Sequence, residues 1–265
     1  VLTLERPVGN IRAGLGRAWK PDTSLGRFLA LLVPGIPEAN LLPDQVVATT
    51  SGGVLSYANG LGRLAYSNSS DKRFVALPTA ITANSTPFWM FLYSTRSVTD
   101  ARVYFRLGPS TGYGLVSLIT GGASDSATVN SNNSILITAV ASTFPNGVFT
   151  AVIESTGARL NLYINGKYVN GTSTALASVG ATRFGFGADG TNELSVIASH
   201  YMAGLVAGTM PANFFRDFHS NPYGTVFAAR RIWVPVSAGG GGGGAAVSLL
   251  GGLTRSNLTS GRLVA

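Results

Sequence analysis

The chain has 265 residues, 34 glycines, no cysteine and a formal net charge of +8, and only 11% of it is charged. A soluble domain usually carries about 25% charged residues. Without thiols there is no disulfide framework, no thiolate zinc site and no cysteine nucleophile; two histidines are too few for a multi-histidine metal centre; and a mean hydropathy of +0.28 argues against disorder.

Residues 1–45 read as a basic, Gly/Pro-rich N-terminal arm. Positions 1–27 hold Arg6, Arg12, Arg17, Lys20 and Arg27 against Glu5 and Asp22, a net +3. The apolar run 28–33 stops at Pro34-Gly35. It is far shorter than the ~20 residues of a membrane span, so neither a membrane segment nor a secretory leader is expected. The pattern over 25–33 predicts a short helix.

The stretch 28–229 is nearly neutral at +1, and the body, 46–229, reads as β. Residues 88–93 (FWMFLY) suit a buried central strand. Residues 101–107 alternate, with Val103, Phe105 and Leu107 on one side and Arg102, Tyr104 and Arg106 on the other. Strands are also expected over 113–119, 134–141 and 148–153. In 159–169 (RLNLYINGKYV), Leu160, Leu162 and Ile164 share a face, and Asn165-Gly166 supplies the positive φ angles of a type I′ hairpin turn. Phe184 and Phe186 share a face within 182–187, Asp189-Gly190 marks a turn, and 194–201 reads as the last long strand. Thr209 is the expected cap of a short helix over 211–219 that stops before Asn221-Pro222.

The C-terminal arm, 230–265, carries Arg230, Arg231, Arg255 and Arg262 with no acid, a net +4, together with six consecutive glycines, 239–244. Ordering such a tract is entropically expensive, which points to a larger assembly that holds it. Both arms are also apolar, with Trp19 and Trp233. Basic residues and tryptophan together suit docking on a partner.

Many short strands and regular turns imply an all-β, two-sheet antiparallel sandwich. Four stretches carry a more specific likeness: 62–66 with 70–77, 88–93, 147–171, and 194–203 with the closing 221–227 (NPYGTVF). In this order they resemble a concanavalin A-like jelly roll of the laminin-G-like type, as found in bacteriophage structural proteins. The resemblance covers 25–230. It implies two curved sheets with extended arms, and a place in the virion, but a fold does not fix a function.

Candidate chemistry is sparse. Glycoside hydrolysis needs two carboxyl groups ~5–10 Å apart, and the eleven acids are scattered, Asp189 and Glu193 being the closest pair considered. Asp71, Asp125, Asp189 and Glu193 are loop acids without the clustering calcium requires. His200 and His219 lack a nucleophile elbow and are read as structural. No catalytic residue, metal site or cofactor is expected. Arg102, Tyr104 and Arg106 form too small a stripe for nucleic acid. Sugar binding has better candidates in Tyr57, Tyr113, Asn132 and Tyr168, aromatics and an amide that a loop-end cleft could use.

The leading expectation is a non-enzymatic structural protein of a phage particle, a capsid decoration or head-associated subunit in a multi-copy assembly. It would dock on other virion proteins through Arg6, Arg12, Arg17, Trp19, Lys20, Arg27, Arg230, Arg231, Trp233, Arg255 and Arg262. The alternative is a carbohydrate-binding receptor or adhesin module, such as a tail or fibre component.

Overall fold

The computed structural model describes residues 21–34, 42, 45–58, 61–82, 87–95, 102–110, 114–121, 126–132, 134–139, 147–174, 176, 180–188, 194–227, 258–259 and 262–263. The strands are β1 (Arg27–Leu32), β2 (Val46–Ser51), β3 (Val54–Ala58), β4 (Leu61–Ala65), β5 (Lys72–Ile81), β6 (Phe88–Thr95), β7 (Val103–Gly108), β8 (Val116–Gly121), β9 (Ser126–Ser131), β10 (Ser134–Ala139), β11 (Val148–Ser155), β12 (Leu160–Ile164), β13 (Lys167–Thr172), β14 (Ala181–Phe186) and β15 (Ser199–Ala207). Two short helices follow, α1 (Phe214–Ser220) and α2 (Pro222–Val226). A separate small ladder pairs β16 (Leu258–Thr259) with β17 (Arg262–Leu263).

The strands form two antiparallel sheets, so the chain is a β-sandwich jelly roll. One sheet runs β13-β12-β11-β6-β15-β4-β3, with β1 also paired to β15; the other runs β10-β9-β8-β7-β14-β5-β2. Strand alternation sorts β6 into two cores. Phe88, Met90 and Leu92 join the inter-sheet core with Phe105, Leu107, Leu118, Phe184 and Phe186. Trp89 and Phe91 face outward into a second core, closed by Phe214 and Phe218 of α1 and Val226 of α2. Trp89 lies 4.3 Å from the Phe214 ring, and Phe91 5.0 Å from Phe218. A seven-residue helix has no stability alone. Burying each of these side chains contributes about 1.5–3 kcal/mol, which holds α1 on the sheet. The run 88–93 is apolar on both faces because both faces are covered.

Three expectations are corrected. Residues 25–33 do not form the expected helix: a single 3-10 turn, Thr23–Leu25, ends there, and β1 pairs with β15, Arg27 opposite Ala207 and Leu32 opposite Ala203. Ala30 and Leu32 enter one core, Leu31 and Val33 the other. The Gln45 side-chain amide occupies the backbone of β1 at Leu31, accepting from its N–H at 2.9 Å and donating to its carbonyl at 3.1 Å. Tertiary pairing thus overrides local propensity, and 27–32, assigned above to the arm, lie within the sheet. The last long strand begins at Ser199 rather than 194, because 194–196 instead cross to Val103, with Val103 N–H donating to the Leu194 carbonyl at 2.8 Å and Val196 N–H to the Val103 carbonyl at 3.0 Å. Thr209 is not the helix cap. Asn213 occupies that position, and Asn221-Pro222 opens α2, with Asn221 Oδ1 accepting from Gly224 N–H at 3.1 Å.

The body opens and closes at one place. Pro21 bridges Phe227, and Asp22 N–H donates to the Val226 carbonyl at 2.8 Å. The arm residues before Pro21, and 228–257, lie outside the described residues.

His200 is fully buried in the inter-sheet core, stacked 4.7 Å from Phe186 and edge-on to Tyr66 and Tyr104. Ser94 Oγ donates to the Ser199 carbonyl at 3.0 Å and sits 3.0 Å from His200 Nδ1. The ring meets Ser94 through Nδ1, in the direction its tautomer sets, and Nε2 has no partner among the described residues. Desolvation disfavours the cation and lowers the pKa to about 3.

Two predictions follow from this packing. A Cβ at Gly204 would run into the Phe91 ring, so Gly204→Ala should lower unfolding free energy by about 1–3 kcal/mol, read from urea melts. Because the folded pKa of His200 lies below its unfolded 6.5, its contribution is complete above pH 6.5 and is lost as pH falls toward 3. The loss is on the order of 5 kcal/mol. Urea melts across that window should show a shallower decline for His200→Phe than for the native chain.

Candidate functional site

The outer face of β11, β12 and β13 emerges from under α1. On β12, Leu160, Leu162 and Ile164 point into the core, so Asn161, Tyr163 and Asn165 point out. The tight turn forms as expected, with φ of 48° at Asn165 and 73° at Gly166. Asn165 Oδ1 also accepts from Thr150 N–H at 2.9 Å, tying the turn to β11. Register sets Glu154 opposite Asn161 and Tyr163 opposite Tyr168. A shift between Leu162 and Tyr163 then pairs Asn161 with Gly171. This bulge turns Val169 toward the core and places the residue without a side chain in the outward row.

These pairings assemble a bonded polar row beside a stack of rings. Glu154 Oε2 accepts from Asn161 Nδ2 at 3.0 Å and from the Tyr163 hydroxyl at 3.1 Å. With its amine end held by Glu154, Asn161 turns Oδ1 toward Gly171. A Cβ at Gly171 would lie 2.6 Å from that oxygen and 2.8 Å from the Tyr168 hydroxyl, so the two polar atoms converge over the glycine. Tyr163 stacks on Phe215 of α1 at 4.4 Å and meets Tyr168 edge-on at 5.6 Å. Arg216 lies 5.5 Å from the Phe215 centroid. Burial, then the adjacent Glu154 carboxylate, pushes the Tyr163 phenol up to about 12. Tyr168 remains 53% exposed. The patch therefore offers one open aromatic ring, a phenol, an amide oxygen and a carboxylate, all oriented before any ligand arrives.

Of the four expected sugar-binding residues, Tyr168 falls in this patch. Tyr57 lies on β3 at the opposite edge of the same sheet, six strand steps or roughly 29 Å away, and its side chain is outside the described residues. Asn132, exposed with φ of 46°, is at the turn between β9 and β10 of the other sheet. Tyr113 lies outside the described residues. The single cleft expected from these four does not form among the described residues. Glu154, Asn161, Tyr163 and Phe215 were not singled out. The available signal was the outward half of the 159–169 alternation, and an acid standing alone in the apolar strand 148–155.

The stripe of Arg102, Tyr104 and Arg106 is not a surface. Tyr104 turns inward to Phe149 at 5.1 Å, past a bulge between Val103 and Phe105. Arg106 is fully buried, with Gly108 and Gly114 closing on its side chain; a Cβ at Gly108 would lie 2.9 Å from the guanidinium carbon. Asp71 is buried and accepts from Ser67 and Asn68 N–H at 2.8 and 2.9 Å, so it orders a loop. His219, in the last turn of α1, places Nδ1 3.2 Å from Thr150 Oγ1. Among the described residues no group of three His, Asp or Glu could hold a metal. Of the expected docking residues, Arg27 is exposed at the start of β1 and Arg262 lies on β17, its side chain outside the described residues. Arg6, Arg12, Arg17, Trp19, Lys20, Arg230, Arg231, Trp233 and Arg255 also lie outside them.

No family model matches the chain, and neither does any curated protein sequence. Solved structures do match. The receptor binding domain of botulinum neurotoxin D aligns with 74% of this chain and 52% of its own, at TM-score 0.53 and 12% identity. The binding domain of botulinum neurotoxin DC, solved in complex with SialylT, aligns with 73% of this chain and 50% of its own, at TM-score 0.52 and 14% identity. A Trypanosoma rangeli sialidase mutant displaying trans-sialidase activity aligns with 76% and 34%, at TM-score 0.50 and 10% identity. The chain thus spans about half or less of the length of these proteins. At such identities the likeness is one of fold, the all-β sandwich.

The Glu154 contact has a spectroscopic consequence. Glu154→Gln should bring the Tyr163 titration down from about 12 while leaving it above 10, because burial is the larger cause. Ultraviolet absorbance of phenolate against pH reads this directly, with Tyr163→Phe identifying the transition.

Proposed function

We propose that the sandwich is a non-catalytic carbohydrate-binding module, and that the outer patch of β11–β13 is its site. The observation that carries this reading is the open face of Tyr168 beside the bonded row of Glu154, Asn161 and Tyr163. Sugar rings present C–H groups that pack on the negative face of an aromatic ring, and their hydroxyls need a few placed acceptors and donors. Both are supplied here on a rigid sheet. The fold likeness to two toxin binding domains and a sialidase supports this reading over the virion role expected from the sequence. A non-catalytic role fits the carboxylates: hydrolysis needs a pair ~5–10 Å apart, whereas Glu154 serves Asn161 and Tyr163, and Asp71 serves backbone amides.

A second role for the flanks is favoured by one contact. Pro21 bridges Phe227, so the segments that carry Arg6, Arg12, Arg17 and Lys20, and Arg230, Arg231, Arg255 and Arg262, depart from neighbouring points. Two segments tethered together bind one partner at high effective concentration. We propose that they anchor the module to an acidic protein surface.

The sugar reading is tested at Tyr168. Tyr168→Ala removes an exposed ring and should leave the melting temperature within about 2 °C, since surface substitutions usually cost under ~0.5 kcal/mol. It should weaken oligosaccharide binding at least ~10-fold in calorimetric titration. Unchanged binding would contradict the assignment of this patch.

A further inference from the structure

We infer that the sugar recognised at this patch is uncharged and presents adjacent hydroxyls, and that acidic sugars are rejected there. The inference rests on the carbohydrate-binding reading and deepens it. Its basis is the direction of the hydrogen bonds. Asn161 Nδ2 and the Tyr163 hydroxyl both donate to Glu154 Oε2, which uses the Tyr163 proton and one of the two Asn161 amide protons. What the row presents is chiefly acceptor capacity, in Asn161 Oδ1, held over Gly171 beside the Tyr168 hydroxyl, and in the Glu154 carboxylate, with the second Asn161 N–H and the Tyr168 O–H as its donors. Sugar hydroxyls donate to such oxygens. An anionic carboxylate or sulfate has no proton to give them and would sit against the charge of Glu154 in a half-buried setting where screening by water is reduced.

Three cations flank the row. Arg216 lies over Phe215, and its Cα lies 3.5 Å from a Cβ built at Gly166, five residues along the hairpin from Asn161. Lys167 is exposed at the same turn. Arg159 is exposed in the β11–β12 turn at the other end, where its N–H donates to Thr156 Oγ1 at 3.1 Å. The charge bonded into the row itself is that of Glu154.

The test titrates the full chain with neutral galactose-, glucose- and mannose-terminated oligosaccharides, and with the same oligosaccharides capped by sialic acid. The expected result is binding of at least one neutral oligosaccharide, with its capped form at least ~10-fold weaker. Glu154→Gln should narrow that gap several-fold, and raising NaCl from about 50 to 500 mM should narrow it in the native chain without any substitution. A capped oligosaccharide that binds as well as its neutral form, with no response to Glu154→Gln or salt, would overturn the preference for uncharged sugars and leave the carbohydrate-binding reading standing. Binding of neither set would overturn that reading itself.

Discussion

The structure depends on one strand being buried on both faces. β6 sends Phe88, Met90 and Leu92 between the sheets and Trp89 and Phe91 beneath α1. A sandwich needs only the first set, and its outer faces are ordinarily wet. The second set creates a third layer. Gly204, on the neighbouring β15, leaves room for the Phe91 ring, and Phe214 and Phe218 complete the pocket around it. The same packing aims Phe215 at Tyr163. The patch therefore inherits its geometry from the outer core: where the helix ends its cover of the sheet, apolar burial passes into half-exposed rings and then into a polar row.

That transition explains why the patch suits recognition. Deep in the outer core a carboxylate would be severely destabilised. On the open sheet it would be solvated and mobile. Glu154 sits between these limits, where two donors on β12 hold it. The raised phenol of Tyr163 reports the same environment, since burial and the nearby carboxylate both oppose a second negative charge. The side chains that would contact a ligand are fixed by strand register and by a helix packed on rings, so little ordering is left to binding, which favours affinity.

Much of this was legible in the sequence where one periodicity acted alone. The hairpin around Asn165-Gly166, the buried run at 88–93 and the shared face of Phe184 and Phe186 follow from alternation and turn chemistry. Local pattern misled where a distant segment decided the outcome. Leu, Ala and Phe in 25–33 suit a helix in isolation, but β15 and the Gln45 amide recruit them into the sheet. Arg106 looks like a surface residue by alternation, yet Gly108 and Gly114 close on its side chain. At the candidate site, Tyr168 was recognisable as an exposed aromatic. Its partners were not, because the bulge that brings Gly171 opposite Asn161, and the helix that carries Phe215, are set by cross-strand register and tertiary packing that no single segment encodes.

Amide chemical-shift mapping locates a bound sugar on or off the outward row of β11–β13. With a neutral oligosaccharide added to the labelled chain, the largest shifts should cluster at Asn161, Tyr163, Tyr168 and Gly171. Shifts concentrated instead at the β9–β10 turn around Asn132, or along β3 at the opposite edge of the sheet, would contradict a site on that row.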